Sequence, residues 1–216
     1  MAKIKQESDV ADFLYCACIL EERAYLLYKD LADKVDLPLI NSLLLHIAYD
    51  SRKHSVILKG ISKSIAKAKK IPKNRDQELF FGESWTVIEH LVREINDKET
   101  IPKEDLSSLV HKLMILENTV ADKYYCLVQL KALRYMAREL SEIYNLDVKD
   151  LRDILNIIIR DEEIHRQLLS KMKRILVGKE IQTEGIAPVF KYTNPDAWIH
   201  ESTLHSFTDT QAKENI

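Results

Sequence analysis

Asp161-Glu162-Glu163-Ile164-His165, followed by Leu169, is the second copy of a pattern first written as Asp50-Ser51-Arg52-Lys53-His54, followed by Leu58. Another pair of segments repeats in the same way. Leu20-Glu21 with Tyr28 returns as Leu116-Glu117 with Tyr124, the glutamate leading the tyrosine by seven residues each time. Each half of the chain therefore offers a glutamate on one helical stretch and a histidine on the next. The second half adds Glu162 one turn before its histidine. Carboxylates and imidazoles carried inward by four helices are the material of a metal site in a bundle core. Ser51 breaks the symmetry, standing where the repeat calls for a glutamate.

The surrounding sequence is helical throughout. Phe13, Ala17, Leu20, Ala24, Leu27, Leu31 and Val35 keep a three-four spacing, and so do Leu14, Cys18, Glu21, Tyr25, Tyr28 and Ala32. Together they form a wide apolar stripe, and Glu21 falls inside it. Ser8 or Asp9 caps the start of this first helix, and Asp36-Leu37-Pro38 ends it and opens the next. The second helix is expected over residues 38–69, with Ser51 and His54 on its buried side, and Ile71-Pro72 ends it. A connection comes next, carrying its own helix at 85–97. After Thr100 and Pro102 a very long helical pattern is expected from 105 to about 144, with Glu117 and Tyr124 among its apolar residues. Asp147-Val148-Lys149-Asp150 has the form of a capping box and begins the last helix, which stops at Gly178. No pattern of strands occurs.

An up-down pair, a long crossover and a second up-down pair make an antiparallel four-helix bundle of ferritin-like arrangement. Residues 1–178 are read as this all-α bundle. Residues 179–216 are read as a C-terminal extension, an arm that docks on the bundle or on a neighbouring subunit. That segment carries Phe190, Tyr192, Trp198 and Phe207, too aromatic for a plain tail.

Composition agrees. Four glycines in 216 residues leave little room for tight turns. A net charge of −2 gives no general field for nucleic acid. The basic cluster from Lys63 to Lys73 reads as a solvated helix end. Cys16, Cys18 and Cys126 form neither a disulfide framework nor a metal knuckle, and read as small buried hydrophobes in a reducing compartment. No run of about 18 apolar residues occurs, so no membrane partner is expected and the location is read as cytoplasmic.

The chemistry lies in the register of the repeats. Glu162 and His165, spaced i, i+3, share one helical face. Alone, such a pair arises by chance in many long helices, and each glutamate alone could reach water at the edge of its stripe. As a set with Glu21, His54 and Glu117 they would place several ionisable groups at one level of an apolar core. A cation offsets both their desolvation and their mutual repulsion, and this donor set suits iron, manganese or zinc. His46, His90 and His111 have no counterpart in the repeat and read as structural or exposed. His200 and His205 read as surface residues. Tyr28 and Tyr124 read as core aromatics whose hydroxyls bond a buried carboxylate.

Glu21-Glu22-Arg23-Ala24 with Tyr28, Ile47-Ala48 leading to His54, Leu116-Glu117 with Tyr124, and Asp161-Glu162-Glu163-Ile164-His165 resemble the four helices of rubrerythrin-like and ferritin-like di-iron carboxylate proteins. The resemblance spans about residues 10–175. It implies that Glu21 and Glu117 are terminal ligands, that His54 and His165 are nitrogen ligands, and that Glu162 bridges. It implies one or two iron ions, oxidoreductase chemistry toward dioxygen or peroxide, and a homodimer. The rubredoxin-type cysteine pairs of full rubrerythrins are absent, so the electrons would come from a partner protein. Ser51 replaces the second bridging glutamate. That departure leaves a second expectation open, a bundle that has lost its chemistry and serves as a structural or partner-binding subunit. No residue is assigned a catalytic role.

Overall fold

Six helices and no strands make up the described part of the chain, which in this computed structural model is residues 8–66, 75–127 and 130–178. The first two are α1, Ser8–Asp33, and α2, Pro38–Ala66. They are joined by a loop so short that they must run antiparallel. Pro38 opens α2, where its missing N–H would have had no helical partner. The side-chain amide of Asn41 donates to the Ala32 carbonyl at 2.6 Å and satisfies one of the free acceptors at the end of α1.

α3, Arg75–Asn96, is the crossover helix, and α4, Lys103–Leu127, α5, Leu130–Tyr144, and α6, Val148–Val177, complete the set. α1 packs chiefly on α2, and α4 on α6, while α3 lies against α1 and α4. The result is the all-α ferritin-like bundle, with α1, α2, α4 and α6 as its four principal helices and α3 as the crossover. The two loops at one end are stitched together. The Ile101 amide donates to the Lys34 carbonyl at 2.9 Å, and Lys34 Nζ donates to the Ile95 carbonyl at 2.9 Å.

The ends of α6 reflect its sequence. The Asp147 side chain accepts from the Asp150 amide at 2.8 Å, and Asp150 returns the bond to the Asp147 amide at 3.1 Å. At the far end Gly178 takes φ 65°, a left-handed conformation that glycine adopts without a Cβ penalty.

Two boundaries differ from the sequence reading. The crossover helix begins at Arg75 rather than near residue 85. It bends at Phe81, whose φ −124° and ψ 21° are not helical. Arg75-Asp76-Gln77-Glu78 contains no apolar residue, so the stripe that marks the helix could not be read in this turn. The long third pattern is described as two helices, α4 and α5, with residues 128–129 outside the described part; α5 packs on α6 and α2. The expected end of the second helix beyond Ala66, the side chain of Cys126, and the whole 179–216 arm with His200 and His205 also lie outside the described residues.

The core is continuous along the bundle, from Leu14, Leu27, Leu31, Leu44, Ile47 and Leu58 in the first pair to Leu109, Leu113, Leu155, Ile158, Leu169 and Met172 in the second. Cys16 and Cys18 are buried within it and are not joined in a disulfide. Among the described residues no helix is long and apolar enough to cross a membrane.

Candidate metal centre

The buried carboxylates and imidazoles of the described residues are five: Glu21, His54, Glu117, Glu162 and His165. They are the five that the repeat singles out. The remaining buried polar residues are Ser51 and three serines with nearby polar partners, Ser55 to Glu22, Ser62 to the Ala11 carbonyl and Ser84 to Thr119. His46, His90 and His111 are exposed.

Each principal helix brings its residue to the same level. α1 supplies Glu21, α2 supplies His54 and Ser51, α4 supplies Glu117, and α6 supplies both Glu162 and His165. Glu162 stands between the histidines. Its Oε1 lies 3.2 Å from His54 Nδ1 and 3.8 Å from His165 Nδ1. Glu21 closes one side at 3.7 Å from His54 Nδ1, and Glu117 closes the other at 3.4 Å from His165 Nδ1. The two imidazole ring centres are 5.9 Å apart, with their planes tilted by 30°. Two ligand groups result, Glu21–His54–Glu162 and Glu117–Glu162–His165, each with its donor atoms within 4.8 Å of one another. They share Glu162.

These atoms are close but not bonded. His54 Nδ1, His165 Nδ1 and Glu162 Oε1 are fully buried and make no hydrogen bond. Orphaned polar atoms in a core each cost about 1–3 kcal/mol, so a site that gathers three of them is shaped for a guest. A cation fits, since all three are donors of a lone pair once the protons leave.

The outer partners cross between the halves. His54 Nε2 meets Asp161 Oδ2 at 3.0 Å, and His165 Nε2 meets Asp50 Oδ2 at 3.4 Å. An N–H held outward by a carboxylate fixes the tautomer that turns Nδ1 inward, the usual support of a metal-binding histidine. Lys53 joins the two supports, its Nζ 2.8 Å from Asp50 and 2.7 Å from Asp161. The tyrosines cross over as well. The Tyr28 hydroxyl donates to Glu117, and the Tyr124 hydroxyl donates to Glu21. Both hydroxyls are held well above the usual tyrosine range by burial and by the nearby glutamate charges, so they remain donors.

With no metal bound, the buried groups shift one another's proton affinity. Burial opposes a charged His54, but Asp161, Glu162 and Glu21 outweigh it and lift its pKa to about 12. Burial is likewise overcome at His165 by Asp50, Glu117 and Glu162, which lift it to about 10. Glu162 is pushed well above the carboxylate range by burial and by Glu117 and Glu21. Glu117, buried too, is nevertheless lowered by His165. The two histidines are thus held toward the imidazolium form and Glu162 toward the neutral acid.

Sequence reasoning missed Asp50, Asp161 and Lys53. Helical geometry turns Asp50 away from the site, and it does avoid the centre; its carboxylate instead backs the histidine of the other half. The signal was present, since both copies of the motif place an aspartate four residues before the histidine. Asp50→Asn is expected to change the surroundings of His165 and to leave those of His54, its neighbour in sequence, nearly unaltered. Imidazole nitrogen NMR of the metal-free protein reads this directly, and a shift confined to His54 would contradict the crossed pairing. Metal affinity of this variant should fall by about 10–100-fold.

Residues 12–117 match the rubrerythrin family model, that of a ferritin-like di-iron carboxylate family. Over that span the chain is rubrerythrin-like, and the family implies iron binding. The matched span includes Glu21, His54 and Glu117; Glu162 and His165 lie beyond it and join the set through the geometry alone. No curated protein and no solved structure matches the chain.

Proposed function

We propose that this rubrerythrin-like chain is a di-iron-type oxidoreductase acting on dioxygen or peroxide. The observation that carries the reading is the pair of inward-facing, unbonded histidine nitrogens on either side of Glu162. Iron bound there would supply the electrons for reducing the oxidant. Manganese or zinc would find the same donors, and iron is the choice the family favours.

The protein's own residues have separable tasks. His54 and His165 present Nδ1 lone pairs, oriented by Asp161 and Asp50. Glu21 and Glu117 each close one ion's shell, steadied by the Tyr124 and Tyr28 hydroxyls. Glu162 would be a ligand common to both groups. Beside them lies a small cavity walled on its apolar side by Leu20, Ala24, Ile88, Leu116 and Val120. Its free space of about 10 Å³ is near the lower limit for one water. Such a space does not admit an organic substrate. A separate donor protein returns the electrons. A cytoplasmic homodimer belongs to the same reading; exposed Tyr49 and Val56, seven residues apart on α2, support a helix-face contact.

Ser51 favours a second reading, in which the bundle keeps its shape and serves as a structural or partner-binding subunit. Stopped-flow consumption of peroxide and dioxygen by iron-loaded protein separates the two. His165→Ala should lose at least about a hundredfold in turnover under the first reading, since one ion loses its nitrogen ligand. Equal and negligible rates in the parent and the variant would favour the second.

A further inference from the structure

We propose that Ser51 raises the reduction potential of the iron centre by withholding a carboxylate charge from it, and so holds the bound pair toward its reduced state. The inference rests on the metal-loading reading above. Ser51 stands in the first copy of the repeat where Glu162 stands in the second, one turn before a histidine that belongs to a ligand group. It is 2% exposed and lines the same small pocket as Glu21, Glu117 and Glu162. A carboxylate at this position would share the pocket with those three, and serine puts a neutral hydroxyl there.

Charge gives the direction. Two iron(II) ions bring four positive charges, and the three glutamates return three. Oxidation to two iron(III) ions passes two electrons to the oxidant, raises the metal charge to six and leaves the return at three. A fourth carboxylate would stabilise both states, and the oxidised one more, because it would face two further positive charges. Its absence therefore penalises oxidation. The neighbouring acids are engaged elsewhere. Asp50 and Asp161 stand behind the histidines and share Lys53, and Glu22 accepts from Arg52. Tyr28 and Tyr124 keep their protons as donors to Glu117 and Glu21. Leu20, Ala24, Ile88, Leu116 and Val120 complete the pocket wall. In apolar surroundings a missing charge is poorly screened, and net charge is one of the levers that set the potential of an iron site.

The full chain, loaded with iron and freed of excess metal, is titrated potentiometrically under argon with redox mediators, and the iron(III) fraction is read from the visible spectrum. Ser51→Asp and Ser51→Asn are nearly equal in size and differ by one charge. Ser51→Asp should favour the oxidised state at least about tenfold over Ser51→Asn for each electron, a fall in midpoint of about 59 mV. Ser51→Asn should stay within about threefold of the parent, because neither side chain is charged. Ser51→Glu and Ser51→Gln should repeat the difference. Iron content is measured for every variant, so that centres holding two ions are compared. Two bound ions with equal midpoints in Ser51→Asp and Ser51→Asn, or a midpoint that rises in Ser51→Asp, would overturn this inference alone. A parent chain that takes up no iron would overturn it together with the metal-centre reading. Should Ser51→Glu fail to fold, the Asp and Asn pair, closer to serine in size, still decides.

Discussion

Glu162→Leu should lose both metal ions and yet give a metal-free protein more stable than the parent. The two effects have one cause. Glu162 belongs to both ligand groups, so its removal strips a donor from each ion. Loss of a supporting residue alone typically costs 10–100-fold in affinity, and loss of a shared ligand should exceed about a hundredfold for both ions. Glu21→Ala and Glu117→Ala should each weaken mainly one. In the metal-free state the same carboxyl is buried, crowded by Glu117 and Glu21, and pushed well above its ordinary range. Leucine removes that desolvated group and leaves His165 beside Glu117, which it holds low. Replacing buried ionisable groups with hydrophobes of similar size often stabilises by about 1–4 kcal/mol. Equilibrium urea unfolding of the metal-free variant, beside its metal content, checks both signs. A variant that retains either ion at parental affinity would show that Glu162 is not shared.

The gap in melting temperature between loaded and metal-free protein should widen as pH rises from about 5.5 to 9. The pKa values of His54 and His165 are raised in the fold, from 6.5 to about 12 and about 10. A raised pKa contributes stability that is fully present below 6.5 and is lost as pH climbs through the folded values. Glu162, also raised, acts in the same direction from its ordinary value upward. Glu117, Asp50 and Asp161 are lowered, by His165, by His165 with Lys53, and by His54 with Lys53, each against the effect of burial. Their contribution is present above the ordinary carboxylate range and disappears in acid. The metal-free protein is therefore most stable between about pH 4.5 and 6.5 and weakens on the alkaline side. Metal ions take the place of the histidine protons, so loading grows easier over the same interval. With each ion at a hundred times its dissociation constant, two ions add roughly 5 kcal/mol. At about 2–4 °C per kcal/mol for a domain of this size, the gap reaches roughly 10–20 °C near neutral pH. Scanning calorimetry with manganese or zinc measures it, and a gap that stays constant or narrows with pH would contradict the proton balance.

Much of the arrangement was legible because the chemistry sits on a repeat. Glu21 and Glu117 interrupt apolar stripes at matching places, and all five proposed ligands prove buried at one level. The capping box at Asp147 and the stop at Gly178 could be read from local rules, since both act within one turn of helix. The features that failed to show were those that depend on the partner helix. Tyr28 lies seven residues beyond Glu21, about 10 Å along the axis, too far for the two to bond. Antiparallel packing brings it level with Glu117 instead, and the same crossing pairs Asp50 with His165 and Asp161 with His54. The early start of α3 did not show because Arg75-Asp76-Gln77-Glu78 offers no apolar stripe to read. Ser51 was visible as an exception, but its place on the cavity wall required coordinates.

The most direct test is anomalous scattering at the iron edge from crystals of the full chain grown with iron(II) and without oxygen. Two peaks should appear in the bundle core, one on each side of the Glu162 carboxylate, the first beside His54 Nδ1 and the second beside His165 Nδ1. A core with no anomalous density, in which those nitrogens and carboxylates close on one another through hydrogen bonds, would contradict the account.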